Sequence, residues 1–216
     1  MERSNEPLPR PRRRPRPLKR ACNIVALILM APSALTCWLE RQLSASSQFV
    51  FAFWTHVVAM FPGLPGVFLR RAFYRWTLQE CAEEVTIEFG AVFTRRSARL
   101  EPGVYVGPYA LIGSAWLREN ALIGSRASLL SGGQHHELLP SGEWTATDEK
   151  KLSTIEIGPN TWIGEGAILM AGTGACCMVA AGGVVSTAVP PGVMVAGNPA
   201  RFVRRLRSES VQEGQE

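Results

Sequence analysis

Two adjacent histidines, His135 and His136, stand where the chain stops being regular. On either side of them the sequence advances in steps of six residues. After Leu129-Leu-Ser-Gly-Gly-Gln134 the steps cease, and irregular residues run through Trp144 to Lys151 before Ile157 resumes the pattern. Imidazole is the side chain that changes charge nearest neutral pH. At the edge of a cleft it can take the proton from a hydroxyl as that hydroxyl attacks an electrophile. Loops that leave a rigid scaffold are where such groups concentrate. On a merely solvated loop the same two residues would do nothing, and position alone leaves both readings open.

The scaffold is written in the hexads. Ile157-Gly-Pro-Asn-Thr-Trp, Ile163-Gly-Glu-Gly-Ala-Ile and Val179-Ala-Ala-Gly-Gly-Val each alternate apolar with small or polar residues, as a strand does, and carry Gly or Pro where a bend is needed. The same spacing runs back through Val106-Gly-Pro, Leu100-Glu-Pro and Ile87-Glu. It slips by one residue near Arg99 and again near Leu117, and shortens by two between Met170 and Thr173. A unit of six cannot bury its own apolar face and must stack on its neighbours, so the period predicts a coiled parallel β-structure. Hairpin-rich sheets have no reason to hold such a phase.

The net charge of +5 is localised: residues 1–20 carry +6 and the rest of the chain −1. The basic character belongs to a Pro-Arg tail with little to bury, expected to be disordered, as are residues 207–216. No base-stacking aromatics interleave with its arginines, which argues against nucleic acid. Anionic lipid is the simpler partner for a polybasic segment beside an apolar run. The five cysteines have neither CxxC spacing nor an even count, which suits a reducing compartment. Cys176 and Cys177, being adjacent on a β-coil, should point to opposite faces.

Residues 21–80 read as an apolar helical arm. Ala21 to Leu39 is a 19-residue run without a charge, and Phe49 to Leu69 a 21-residue run whose one ionisable group is His56. By length either could span a bilayer, although Pro32 and Pro62-Gly-Leu-Pro65 would interrupt a straight helix. Basic residues flank the pair, with Arg70, Arg71 and Arg75 on the far side. That pattern predicts a hairpin or re-entrant pair with both ends in the cytoplasm. The alternative is two helices packed on the β-domain. Phe68 to Leu78 reads as a connecting helix that either lies along the membrane, its arginines reaching lipid phosphates, or caps the open end of the coil.

Trp162-Ile-Gly-Glu-Gly-Ala-Ile, Ala180-Ala-Gly-Gly-Val-Val-Ser-Thr and Val-Pro-Pro-Gly-Val-Met-Val-Ala-Gly-Asn-Pro-Ala-Arg201, in that order after the loop, resemble the hexapeptide-repeat acyltransferases. Within that family they are similar to the maltose, galactoside and colanic-acid-type O-acetyltransferases. The resemblance implies a left-handed parallel β-helix over residues 81–206, with an excursion loop at 133–154. It implies a homotrimer with sites between subunits, and acetyl-CoA as cosubstrate with no metal. His135 would be the general base, His136 the second candidate, and Glu137 could orient the ring. Coenzyme A would meet Trp162 at its acetyl end, Ala181, Gly182, Ser186 and Thr187 along the arm, and Arg201 and Arg204 at its phosphates, where a guanidinium fork suits the oxyanions. Thr187 departs from the pattern, since relatives often carry Lys there, and the acceptor-binding Asn of sugar acetyltransferases has no counterpart. The zinc-dependent members need three separated histidines, which His56 and the adjacent pair cannot supply.

These readings lead to the expectation of an enzyme on the cytoplasmic face of the inner membrane, or alternatively soluble in the cytoplasm, acylating a saccharide or cell-envelope precursor. The rival reading is a non-catalytic scaffold at the membrane, which would have no use for a histidine loop or a Gly-Asn-Pro-Ala-Arg ending.

Overall fold

The computed structural model describes residues 17–44, 46–132, 136–145 and 152–206. Most of the basic tail, the C-terminal tail and His135 lie outside them. Three helices come first: α1 (Pro17–Leu43), α2 (Phe49–Ala59) and α3 (Gly63–Thr77). The strands that follow build three parallel sheets. The first sheet holds β1 (Glu80–Cys81), β4 (Arg99–Leu100), β7 (Ala115–Leu117) and β10 (Ile155–Ile157). The second holds β2 (Thr86–Ile87), β5 (Tyr105–Val106), β8 (Leu122–Ile123), β11 (Trp162–Ile163), β13 (Met178–Val179) and β15 (Val193–Ala196). The third holds β3 (Val92–Phe93), β6 (Leu111–Ile112), β9 (Ser128–Leu129), β12 (Ile168–Leu169) and β14 (Val184–Val185). Single bridges through Thr173 and Val189 continue the first sheet. The result is a parallel β-solenoid of six turns, closed at its far end by the antiparallel β16 (Arg201–Arg205) on β15.

The interior explains the hexad. In most strands a small residue enters and a large one follows: Ala91 before Phe93, Ala110 before Ile112, Ala121 before Ile123, Ala167 before Leu169, all buried. A narrow three-sided coil has room for one bulky side chain per strand, and Ala fills the space beside it. Cys177 is buried here and Cys176 exposed, as the alternation requires.

Two of the three corners are locked by backbone geometry. Gly103, Asn120, Asn160, Cys176 and Gly192 stack at the first with positive φ; Gly90, Tyr109, Arg126, Gly166 and Gly182 do so at the second. Between equivalent buried positions these two corners always take six residues. Every departure falls at the third corner, between the third sheet and the first. Thr86 pairs with Tyr105, Tyr105 with Leu122, and Trp162 with Met178, which in turn pairs with Met194. The first turn is therefore one residue longer than three hexads, the second one shorter, and the last two each two shorter. The last of these shortenings, between Val185 and Val189, was not evident in the sequence. The left-handed corner also gives a stability prediction. A residue with a Cβ adopts αL at a cost of about 1 kcal/mol, which Asn reduces by local hydrogen bonding. Asn120 Nδ2 already donates to Asn160 Oδ1 at 3.3 Å. Cys176→Asn extends this stack and should raise stability by roughly 0.5 kcal/mol, read as a higher urea midpoint; a lower midpoint would show that backbone geometry does not govern this corner.

The helices cap the open end of the solenoid. In the body of the coil, strand N–H groups donate to the carbonyls of the next turn, as Thr86 does to Val104 and Glu88 to Val106. The carbonyls of Val85 and Ile87 in the first turn have no preceding turn to serve. Arg71 Nη1 donates to Val85 O at 3.2 Å and Arg70 Nε to Ile87 O at 2.9 Å. Arg70 Nη1 also donates to Phe61 O at 2.6 Å, just past the end of α2. Buried backbone acceptors require such partners. This corrects the expectation that Arg70 and Arg71 reach lipid: both are buried, while Arg75 is exposed beside Glu83. Phe51, Val58, Phe73 and Tyr74 join the solenoid interior in one continuous core. The second apolar run is thus the cap, cut in two at Pro62. The first run is α1, which begins at Pro17, so the end of the basic tail is helical rather than disordered.

Candidate active site

The variable corner is where the excursion leaves, and its base is pinned by hydroxyls. Ser97 Oγ donates to Ser114 Oγ at 2.8 Å, Ser114 Oγ pairs with Thr154 Oγ1 at 2.7 Å, and the Ser114 N–H donates to Ser131 Oγ at 2.7 Å. Successive turns place a hydroxyl at the same corner, which the sequence shows as a recurring Ser at the slipping hexad position. That signal had no side-chain chemistry attached to it and was missed.

Within the excursion, residues 136–145 form a small hairpin. Leu138 bridges Trp144, the Leu139 N–H donates to Glu143 O at 2.8 Å, and the Thr145 N–H donates to Glu137 O at 2.9 Å. Gly142 has the positive φ that the turn requires. His136 closes the outer rung: its Nδ1 lies 2.8 Å from the Thr145 carbonyl. A carbonyl oxygen only accepts, so Nδ1 carries the hydrogen in this bond and Nε2 of the neutral ring is left with its lone pair. In that tautomer Nε2 is the ring nitrogen able to accept a proton. The orienting acceptor is a main-chain group, which no side-chain motif announces. Glu137 is exposed, and its N–H donates to Thr145 Oγ1 at 2.9 Å.

The same corner, further along the coil, carries Ser186 and Thr187. With Val185, Ala188, Ala200 and Arg201 they line a cleft of about 240 Å³ between the last turn and β16. That volume is below the usual range for a whole drug-sized ligand and fits one end of a long one. Arg201 is exposed and its Nη1 donates to its own Ala200 carbonyl at 3.1 Å. The structure therefore brings Ser186, Thr187 and Arg201 together. Ala181 and Gly182 sit on the preceding corner, where the Gly182 N–H donates to Glu165 O at 2.8 Å. Arg204 lies on β16 opposite Met194. Trp162 is half exposed on the outer face of the second sheet, between Leu122 and Met178, away from this cleft. Burial pushes the Cys81 thiol up to about 12, with Arg75 and Arg71 opposing, which disfavours the thiolate.

In its parallel solenoid built from hexads the chain resembles the hexapeptide-repeat acetyltransferases. It is 34% identical over 92 residues to the galactoside O-acetyltransferase of Escherichia coli (strain K12), a stretch covering 41% of this chain and 42% of that one. It is 35% identical over 66 residues to a Staphylococcus aureus (strain MRSA252) protein named provisionally as an acetyltransferase, covering 30% and 33%. The chain thus spans less than half the length of these relatives. The solved structure of a galactoside acetyltransferase in complex with coenzyme A superposes with a TM-score of 0.54 at 20% identity, over 73% of this chain and 80% of that one, which establishes the shared fold. No family model matches the sequence.

Proposed function

We propose that this chain is a CoA-dependent O-acyltransferase that transfers an acetyl group from acetyl-CoA to a hydroxyl of a saccharide or cell-envelope precursor. One observation carries the reading. The single corner where the solenoid tolerates irregularity holds both the histidine excursion and the Ser186–Thr187 side of the cleft. An excursion-loop imidazole takes the proton of the acceptor hydroxyl as its oxygen bonds to the thioester carbon, and returns that proton to the departing thiolate. No acyl-enzyme is needed. Arg201 and Arg204 would hold phosphate oxygens, while Ser186 and Thr187 hydrogen-bond the arm between. A saccharide acceptor is supported by the name of the galactoside-modifying relative.

A homotrimer fits the outer faces. The first sheet turns charged groups outward, with Arg118 Nη1 2.8 Å from Glu156 Oε1. The second presents Leu122 and Trp162, the third Leu111 and Ile168, all exposed. Two different apolar faces on one subunit suit a closed ring of heterologous contacts, which would also carry Trp162 toward a neighbouring cleft.

The test is calorimetric titration of acetyl-CoA into the full chain, followed by thiol release with galactosides as acceptors. Arg201→Ala should weaken binding roughly tenfold through loss of a charge-assisted hydrogen bond. A folded chain that binds no acetyl-CoA would return the scaffold reading.

A further inference from the structure

Helix α1 is amphipathic in the reverse sense of a helix on a soluble protein. Its inward face carries polar groups, each buried and bonded. Asn23 Nδ2 donates to Glu83 Oε1 at 3.1 Å and its Oδ1 accepts from Arg71; Ser33 Oγ donates to Met30 O at 2.7 Å; Glu40 accepts from Ser47, Val50 and Arg96. Its outward face is apolar. Ile24, Ile28, Leu29, Leu35 and Trp38 are each more than half exposed. That face runs into a groove of about 500 Å³ between α1 and α3, walled by groups such as Val25, Leu64 and Phe68 and by no polar surface. A contiguous patch of this kind marks an interaction site.

Charge identifies the occupant. Lys19 and Arg20 are exposed on the first turns of α1, next to Ala21 and Cys22 of the groove, and residues 1–20 as a whole carry +6. A second copy would bring a like charge against this edge; an anionic surface would be attracted to it. We infer that the outer face of α1 and the groove beside it dock on a lipid bilayer bearing anionic headgroups, with α1 lying in the interface plane. Length alone does not choose between lying and spanning, since 27 residues extend about 40 Å. The inward bonds do. Asn23 and Glu40 tie the two ends of α1 to Glu83 and Arg96 of the first solenoid turn, and a spanning helix would have to abandon both. Nor can α2 partner it across the membrane: its 11 residues reach about half of a hydrocarbon core, and Phe51 and Val58 are already committed to the solenoid. The helix therefore rests on the surface like a monotopic anchor.

The experiment is flotation of the full chain with preformed vesicles of phosphatidylglycerol in phosphatidylcholine, compared with phosphatidylcholine alone. The wild type should float with the anionic vesicles and lose at least about tenfold in binding on neutral ones or in high salt. Ile28→Glu should reduce binding by a similar factor with no change in thermal midpoint or sedimentation coefficient, because the position is exposed. Wild type that stays unbound to both vesicles, or Ile28→Glu that floats like wild type, overturns the proposal. A sedimentation coefficient lowered by Ile28→Glu assigns the face to a second copy, and resistance to alkaline extraction from the vesicles assigns it to a spanning helix. Flotation needs no acetyl-CoA, so its outcome is separate from that of the acyltransferase assay.

Discussion

His136→Ala is expected to lower acetyl transfer by about 10²- to 10⁴-fold, the usual contribution of a positioned general base, while acetyl-CoA affinity stays within about twofold of wild type. The expectation rests on geometry. The Thr145 carbonyl fixes the hydrogen on Nδ1 and leaves Nε2 to act, and the hairpin that supplies this carbonyl hangs from a corner braced by Ser97, Ser114 and Thr154. Two companion variants separate the possible outcomes. Thr145→Ala keeps the carbonyl and removes the hydroxyl that accepts from the Glu137 N–H, so it should cost far less than loss of the ring. His135→Ala tests the neighbour that the family resemblance puts first. If His135→Ala abolishes turnover and His136→Ala does not, the base is His135 and the Thr145 contact is only part of the hairpin. If both variants turn over like wild type, the excursion is not catalytic and the chemistry assigned to it fails.

The scaffold could be read from the sequence because a period is a statement about backbone. Each Ile-Gly or Val-Gly pair sets one large inward residue and one bend, and stacking follows from the fact that no hexad buries itself. Even the slips near Arg99, Leu117 and Met170 were legible, and the structure gives them a common address at one corner. The cap was not legible. Arg70 and Arg71 look like membrane-flanking charges until the carbonyls of Val85 and Ile87 are seen to lack a preceding turn. A sequence does not display which end of a repeat stack is open. Asn23 and Glu40 were hidden in the same way, since a helix rich in Leu and Ile gives no sign that its few polar residues face inward. Of the candidate site, the hexads marked where the loop leaves, and the family resemblance named Ser186, Thr187 and Arg201, which the structure brings to one cleft. The acceptor for His136 is a main-chain atom and leaves no trace in residue identity.

Glu40→Ala is expected to destabilise the whole domain by about 3 kcal/mol, the lower end of the range for removing one partner of a buried ion pair, because Arg96 keeps part of its side chain in water. Glu40 is buried, and its carboxylate does three jobs at once. It accepts from the Val50 N–H at 2.8 Å and the Phe51 N–H at 3.3 Å at the start of α2, from Ser47 Oγ at 2.7 Å, and from Arg96 of the first solenoid turn. An anion at that helix start meets both its unsatisfied donors and its dipole. Removing it leaves Arg96, partly buried over the Phe51 ring, without its counter-charge. Because the helices and the solenoid share one core, the loss should appear as a lower urea midpoint with an unchanged slope. Glu40→Gln keeps the shape and part of the hydrogen bonding and should fall between. Replacing both partners, Glu40→Gln with Arg96→Met, should recover stability relative to Glu40→Gln alone, since the stranded charge is gone. Acid gives an independent reading. Burial alone would raise the Glu40 pKa, but Ser47, the two helix N–H groups and Arg96 outweigh it and hold it below the ordinary carboxylate value. A folded-state pKa depressed in this way contributes stability above the unfolded value of about 4.3. That contribution is lost as pH falls through the folded value. Wild type should therefore lose more stability than Glu40→Gln between neutral pH and the acid limb. Equal losses would mean that the carboxylate is not the anion that holds the cap to the coil.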